Sequence, residues 1–197
     1  MSELNFEQEG VYSKSVVEFV TVAHEFCKLL EQNANLSKSE FIGNAQKLLP
    51  LLYLKTSLIN IDEPNGEIVE KFVTELDWQI LQEGVAAKLG SHNSFVEILR
   101  NDVLSTEDTE SVSLAECFAD IYQDLKDFTT LYHIGSIEAI YEGLCECIQS
   151  FQQYWGQRLL TSLCSIHSVI YGAETLEDEG FQNKNTDINS DSWFLSD

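Results

Sequence analysis

From Ile137 to Tyr171 an apolar residue recurs at every third or fourth position: Ile137, Tyr141, Leu144, Ile148, Phe151, Trp155, Leu159, Leu163, Ile166, Ile170. No proline interrupts the run, and Ser136 stands where an N-cap belongs. Such a period predicts one helix of 35 residues, roughly 52 Å long at about 1.5 Å per residue, unless Gly156 bends it. On its other face the first half carries Glu138, Glu142 and Glu146, whereas no charge occurs between Leu159 and Ala173. A helix apolar all round is buried all round. The first half is therefore expected on the surface, and the second half at the centre of a helical bundle.

The rest of the chain supplies partners for that rod. Ser13 opens a helix to about Gln32, with Val16, Val20, Ala23, Cys27 and Leu30 on one face. Ser37 and Glu40 form a capping box for a helix from Lys38 to about Asn60, which Pro50 is expected to kink or split. Asp62 to Gly66 reads as a turn, and Thr74 with Asp77 as the cap of a helix ending near Gly90. Ser91 to Ser113 has weak periodicity, with a short helix or strand over Phe95 to Leu99. Ser113 and Glu116 then open a helix to about His133, stopped by Gly135. The fold class expected is all-α: five or six helices in one domain over residues 1–172, followed by an acidic tail over 173–197. The apolar end of that tail, Trp193-Phe194-Leu195, is read as packing back on the domain or docking another protein.

Charge limits the partners. With 33 acidic against 11 basic residues the chain has a formal net charge of −22, so its average field repels phosphate backbones and anionic membranes. Direct nucleic-acid binding is not expected, and a basic protein is the natural charged partner, including the version in which the acidic surface mimics a nucleic acid. No run approaches the ~18 apolar residues a membrane helix needs. The acidic N-terminus lacks the pattern of a secretory signal, and five cysteines without a CxxC read as free, mostly buried thiols in a reducing cytoplasm.

Four segments carry a resemblance: Val17 to Ala23, Leu48 to Lys55, Asp120 to Phe128, and Tyr154-Trp155-Gly156. Over roughly residues 10–172 the chain resembles a family of uncharacterised bacterial proteins, mainly from Bacteroides and relatives, described as a domain of unknown function. The resemblance implies a helical, cytoplasmic, bacterial protein and implies no activity.

One row of residues has the pattern of a metal site. Glu116, Asp120, Asp124 and Asp127 fall within about an 80° arc of one helix face, a carboxylate row of the kind that holds Mg²⁺. The stretch Leu114 to Ile140 also looks like the metal-binding helix pair of all-α nucleoside triphosphate pyrophosphohydrolases. It departs from that pattern: Glu116 and Asp120 are four apart, Cys117 sits where a glutamate is wanted, and Glu67 with Glu70 and Glu107 with Glu110 fall in weakly structured stretches. Leu114, Phe118, Ile121, Leu125, Phe128 and Tyr132 centre about 180° away, so burying them is expected to turn the carboxylates to water. The row therefore reads first as a solvated face and second as a magnesium site. His24 with Cys27, and Cys164 with His167, have zinc-like spacing but read better as core thiols beside hydrogen-bonded histidines. Tyr154-Trp155-Gly156 is read as core, with Trp155 deeply buried, before it is read as the lining of a pocket. No cofactor is assigned. A non-catalytic interaction module is the preferred function, with a magnesium-dependent pyrophosphohydrolase as the alternative.

Overall fold

The computed structural model describes residues 10–61, 68–96 and 111–172. Among these, helices dominate: α1 (Lys14–Glu31), α2 (Lys38–Ser57), α3 (Glu75–Leu89), α4 (Leu114–Ile134), α5 (Ile137–Ser150) and α6 (Gly156–Tyr171), the last two joined through a π turn, Phe151–Trp155. The architecture is an all-α bundle of five rods, the fifth being α5, the π turn and α6 in succession. A three-residue antiparallel pair, β1 (Ser94–Val96) with β2 (Ser111–Ser113), precedes α4. The expected element at Phe95 to Leu99 is thus a strand where it is described. The predicted turn at Asp62 to Gly66, most of the Ser91 to Ser113 connection, and the tail with Trp193-Phe194-Leu195 lie outside the described residues.

Caps start the helices where their sequences indicate. Ser13, Ser37, Thr74, Ser113 and Ser136 each accept a backbone N–H of the first turn, satisfying donors that have no partner inside the helix. Ser37–Glu40 and Thr74–Asp77 close reciprocal capping boxes. At Ser113 only one direction is made, from the Glu116 N–H to the serine hydroxyl.

Two expectations about helix continuity are modified. α2 runs through Pro50 without a break; Pro50 is exposed, so the carbonyl that loses its donor can turn to water. The long last helix spans Ile137 to Tyr171 as expected, but with a π turn in its middle. Its π turn ends at Gly156, where a Cβ would stand 2.4 Å from the Phe151 carbonyl oxygen, so only glycine fits the close approach.

Burial also differs from the expected arrangement. The centre of the bundle is α4, which packs against α1, α3, α5 and α6 and buries residues on every side, from Leu114 and Phe118 to Asp127 and Thr129. α5, expected on the surface, buries Tyr141, Glu142, Gly143, Leu144, Cys145, Cys147 and Ile148. α6, expected to be central, lies against α2 and α4 by one face, with Leu159, Ser162 and Ile166 inside and Cys164, His167 and Tyr171 exposed. The cause is that α4 offers two buried faces, one apolar and one hydrogen-bonded, and so needs covering from both sides.

Trp155 meets its expectation. It is 0% exposed, its indole N–H donates to the Cys147 carbonyl at 3.1 Å, and its ring lies 4.7 Å from that of Phe151.

Candidate functional site

The acidic row on α4 is where sequence and structure diverge most. Glu116 is exposed, as a solvated row requires. The other three face neighbouring elements. Asp127 is 4% exposed, and its Oδ1 accepts the backbone N–H groups of Phe72 and Val73 at 2.7 and 2.8 Å. It thereby holds segment 68–73 against the bundle, serving two donors that have no helix or sheet of their own. Asp124 accepts the Ser150 hydroxyl at 2.6 Å; burial pushes its carboxyl above the usual aspartate range, against the pull of Ser150 and Lys71. Lys71, on the same segment, pairs with Glu146 at 2.6 Å.

Asp120 is the hub. Its Oδ1 accepts from the Trp78 indole at 3.0 Å, and its Oδ2 from the Tyr154 hydroxyl at 2.9 Å and from Arg158 Nε at 2.9 Å. The guanidinium of Arg158 also lies 4.7 Å from the Tyr154 ring centre and donates to the Cys117 thiol at 3.7 Å. Burial alone would lower the Arg158 pKa, but Asp120 and Tyr154 hold it above its ordinary value. Burial also raises the Cys117 thiol, with Arg158 pulling the other way. This seam ties α3, α4, the π turn and α6 together by charge-assisted bonds.

The expectation of a solvated face is therefore corrected: of the four carboxylates only Glu116 faces water freely, because the other three find donors in elements whose position the helical wheel does not contain. Nor do the four converge on a common point. Among the described residues no group of three or more His, Cys, Asp or Glu is placed to hold a metal ion. The zinc-like pairs also stay apart. Cys27 is buried while Cys164 is exposed, and the His24 ring faces His133 whereas that of His167 faces Tyr171. Glu67, Glu107 and Glu110 lie outside the described residues.

On the other side of segment 68–73 lies a cleft of about 450 Å³ between α1, α3 and α4. Leu30, Phe72, Val73, Ile80 and Leu81 supply apolar walls, and Glu31, Asn33, Asp77, Tyr122 and Lys126 the polar ones. Glu31 Oε1 accepts from the Tyr122 hydroxyl at 3.0 Å and from Lys126 at 2.6 Å. Burial first, and then the charge of Glu31, raise the Tyr122 pKa, so this hydroxyl stays a donor. Asn33 lines the cleft, and Gly84 makes room for it: a Cβ there would meet Asn33 Nδ2 at 3.2 Å. Sequence reading missed this cleft because its walls come from three helices and a loop, and the residues form no motif along the chain.

An acidic all-α bundle pinned by buried carboxylates is the class that fold and seam define. The sequence profile of a domain of unknown function, DUF5063, matches residues 10–172, and the chain belongs to that family. Among solved structures, the chain is similar to the crystal structure of protein BF1032 from Bacteroides fragilis, with 34% sequence identity and a TM-score of 0.75. The similarity covers 84% of this chain and 98% of that one. No match is found among curated proteins.

Proposed function

We propose that this protein is a non-catalytic interaction module whose acidic surface binds a basic protein partner. The observation that carries the reading is how its cations are used. Lys14, Lys28, Lys55, Lys71, Lys126 and Arg158 each lie within 4 Å of a carboxylate of this same chain, whereas Glu75, Glu83 and Glu116 are exposed with no ion pair among the described residues. The excess of acid in a chain of net charge −22 is thus presented outward, while six of its 11 cations lie against its own carboxylates. A field of that sign speeds encounter with a positive surface and disfavours phosphate-rich ones.

The setting in which it works is read as bacterial and cytoplasmic. All five cysteines are free thiols, which suits a reducing compartment. No helix among the described residues is long and apolar enough to cross a membrane.

The test is retention of proteins from a bacterial cytoplasmic extract on the immobilised chain at about 50 mM salt, followed by elution at about 300 mM, where the screening length roughly halves or more. Basic proteins are expected in the eluate. A bound fraction with no basic members, or one indifferent to salt, overturns the reading.

A further inference from the structure

We propose that the cleft between α1, α3 and α4 is where the basic partner is anchored, taking a long cationic side chain, arginine or lysine, beside an apolar side chain of the same segment. The proposal rests on the interaction-module reading and adds the place and the chemistry. Its first ground is the imbalance of hydrogen-bonding groups. Glu31 Oε2, Asn33 Oδ1 and Asp77 Oδ1 accept from no group among the described residues, since the bonds of these side chains run through Oε1, Nδ2 and Oδ2. Lys126, the cation of the cleft, already lies against Glu31. Two carboxylates against one ammonium leave the cleft negative and rich in acceptors, so it is complementary to a donor-bearing cation.

The second ground is shape and wall chemistry. A cleft of about 450 Å³ falls in the size range of sites that enclose small ligands and side chains. Phe72, Val73 and Ile80 offer an apolar surface to the methylene stem of arginine or lysine, which buries its carbons while its head keeps polar contacts.

The third ground is the rim. On α3, Leu76 and Ile80 are 63% and 62% exposed, one turn apart on the same side, with the exposed Glu75 and Glu83 next to them. Ile80 lines the cleft itself. Exposed aliphatics between carboxylates match a segment that alternates apolar and basic side chains, and match an anionic one poorly.

The experiment uses the full chain and an end-blocked peptide in which two arginines alternate with leucines, with binding measured by titration calorimetry at about 50 mM salt. Three comparisons are made. Replacing both arginines by citrulline keeps shape and removes charge. Ile80→Lys puts a like charge at the mouth of the cleft, and Ile80→Glu an opposite one, at a site exposed enough to leave the fold intact. Val17→Lys makes the same charge change on α1 outside the cleft, at a residue that is also exposed. The expected result is binding that weakens at least ~10-fold with citrulline and with Ile80→Lys, holds or tightens with Ile80→Glu, and changes less than ~2-fold with Val17→Lys. Equal losses for Ile80→Lys and Val17→Lys mean that diffuse charge does the binding: the cleft is then wrong and the basic-partner reading stands. No peptide binding at all overturns the cleft, and salt-dependent retention of basic proteins then decides the broader reading separately.

Discussion

The acidic face of α4 and the outer face of α6 are the two surfaces that residue type ranks most plainly, and the fold reverses both. Asp120, Asp124 and Asp127 are turned into the protein, where hydrogen bonds receive them. Leu163 is only half-buried, and Cys164 and Tyr171 stand in water. Burying a charge is costly only when it is unpaired, and a carboxylate that meets two backbone N–H groups is not. Exposing an apolar side chain costs little by comparison, since more than half of a typical folded surface is apolar. Helix faces are therefore sorted by the partners available, and residue type is only a first guide.

The largest test bears on the inner side of the rod that carries α6. Trp155→Ala removes a fully buried ring at the π turn and the indole bond to Cys147. A loss of about 3–5 kcal/mol in chemical denaturation is expected. A loss below about 1 kcal/mol would mean that the π turn is not a packed junction.

Next comes the acidic face itself. Asp127→Ala strands the N–H groups of Phe72 and Val73 and should cost about 2–3 kcal/mol, with faster amide exchange confined to segment 68–73. Glu116→Ala, on the same row but exposed, should change stability by no more than about 0.5 kcal/mol. Equal effects would return the row to a uniform solvated face.

The outer face of α6 is checked by its thiol. A small thiol reagent should label Cys164 of the native protein at least ~10-fold faster than Cys27, Cys117, Cys145 or Cys147, which are buried; burial hides them and also raises the thiols of Cys27, Cys117 and Cys147. Cys164→Ser should be neutral within about 0.5 kcal/mol. Slow labelling of Cys164 would place α6 at the centre after all.

The smallest effect concerns pH. Burial raises the Asp124 carboxyl above its unfolded value, so the folded state holds this proton more tightly than the unfolded one. The sign follows: Asp124 favours folding most at pH below its unfolded pKa, and that contribution is lost as pH rises through its folded pKa. Asp124→Asn should therefore flatten the fall in stability over the acid range above about pH 4. The exposed cap carboxylates Glu40 and Asp77, held low by Ser37 and Thr74, act oppositely, losing their contribution as pH falls through their folded values. An unchanged profile for Asp124→Asn would show that this carboxyl is more solvated than its bond to Ser150 suggests.

What the sequence determined by itself is local. The caps Ser13, Ser37, Thr74 and Ser136, the all-α class, the apolar faces of α1 and α4, and the burial of Trp155 follow from interactions within a few residues, and these are written in the order of the chain. The family to which the chain belongs was legible in the same way, from four short segments. The tertiary structure alone decided which helix is central, that Pro50 does not end α2 whereas Gly156 closes a π turn, that three carboxylates of α4 turn to donors on other elements, and that a cleft opens beside segment 68–73. The central place of α4, the turning-in of its carboxylates and the cleft depend on partners distant in sequence, such as Phe72 for Asp127 at a separation of 55 residues, or Arg158 for Asp120. A periodicity shows which face of a helix is apolar; it carries no information about the donors and acceptors that another element brings to the opposite face, and those set the free energy of burying a charge.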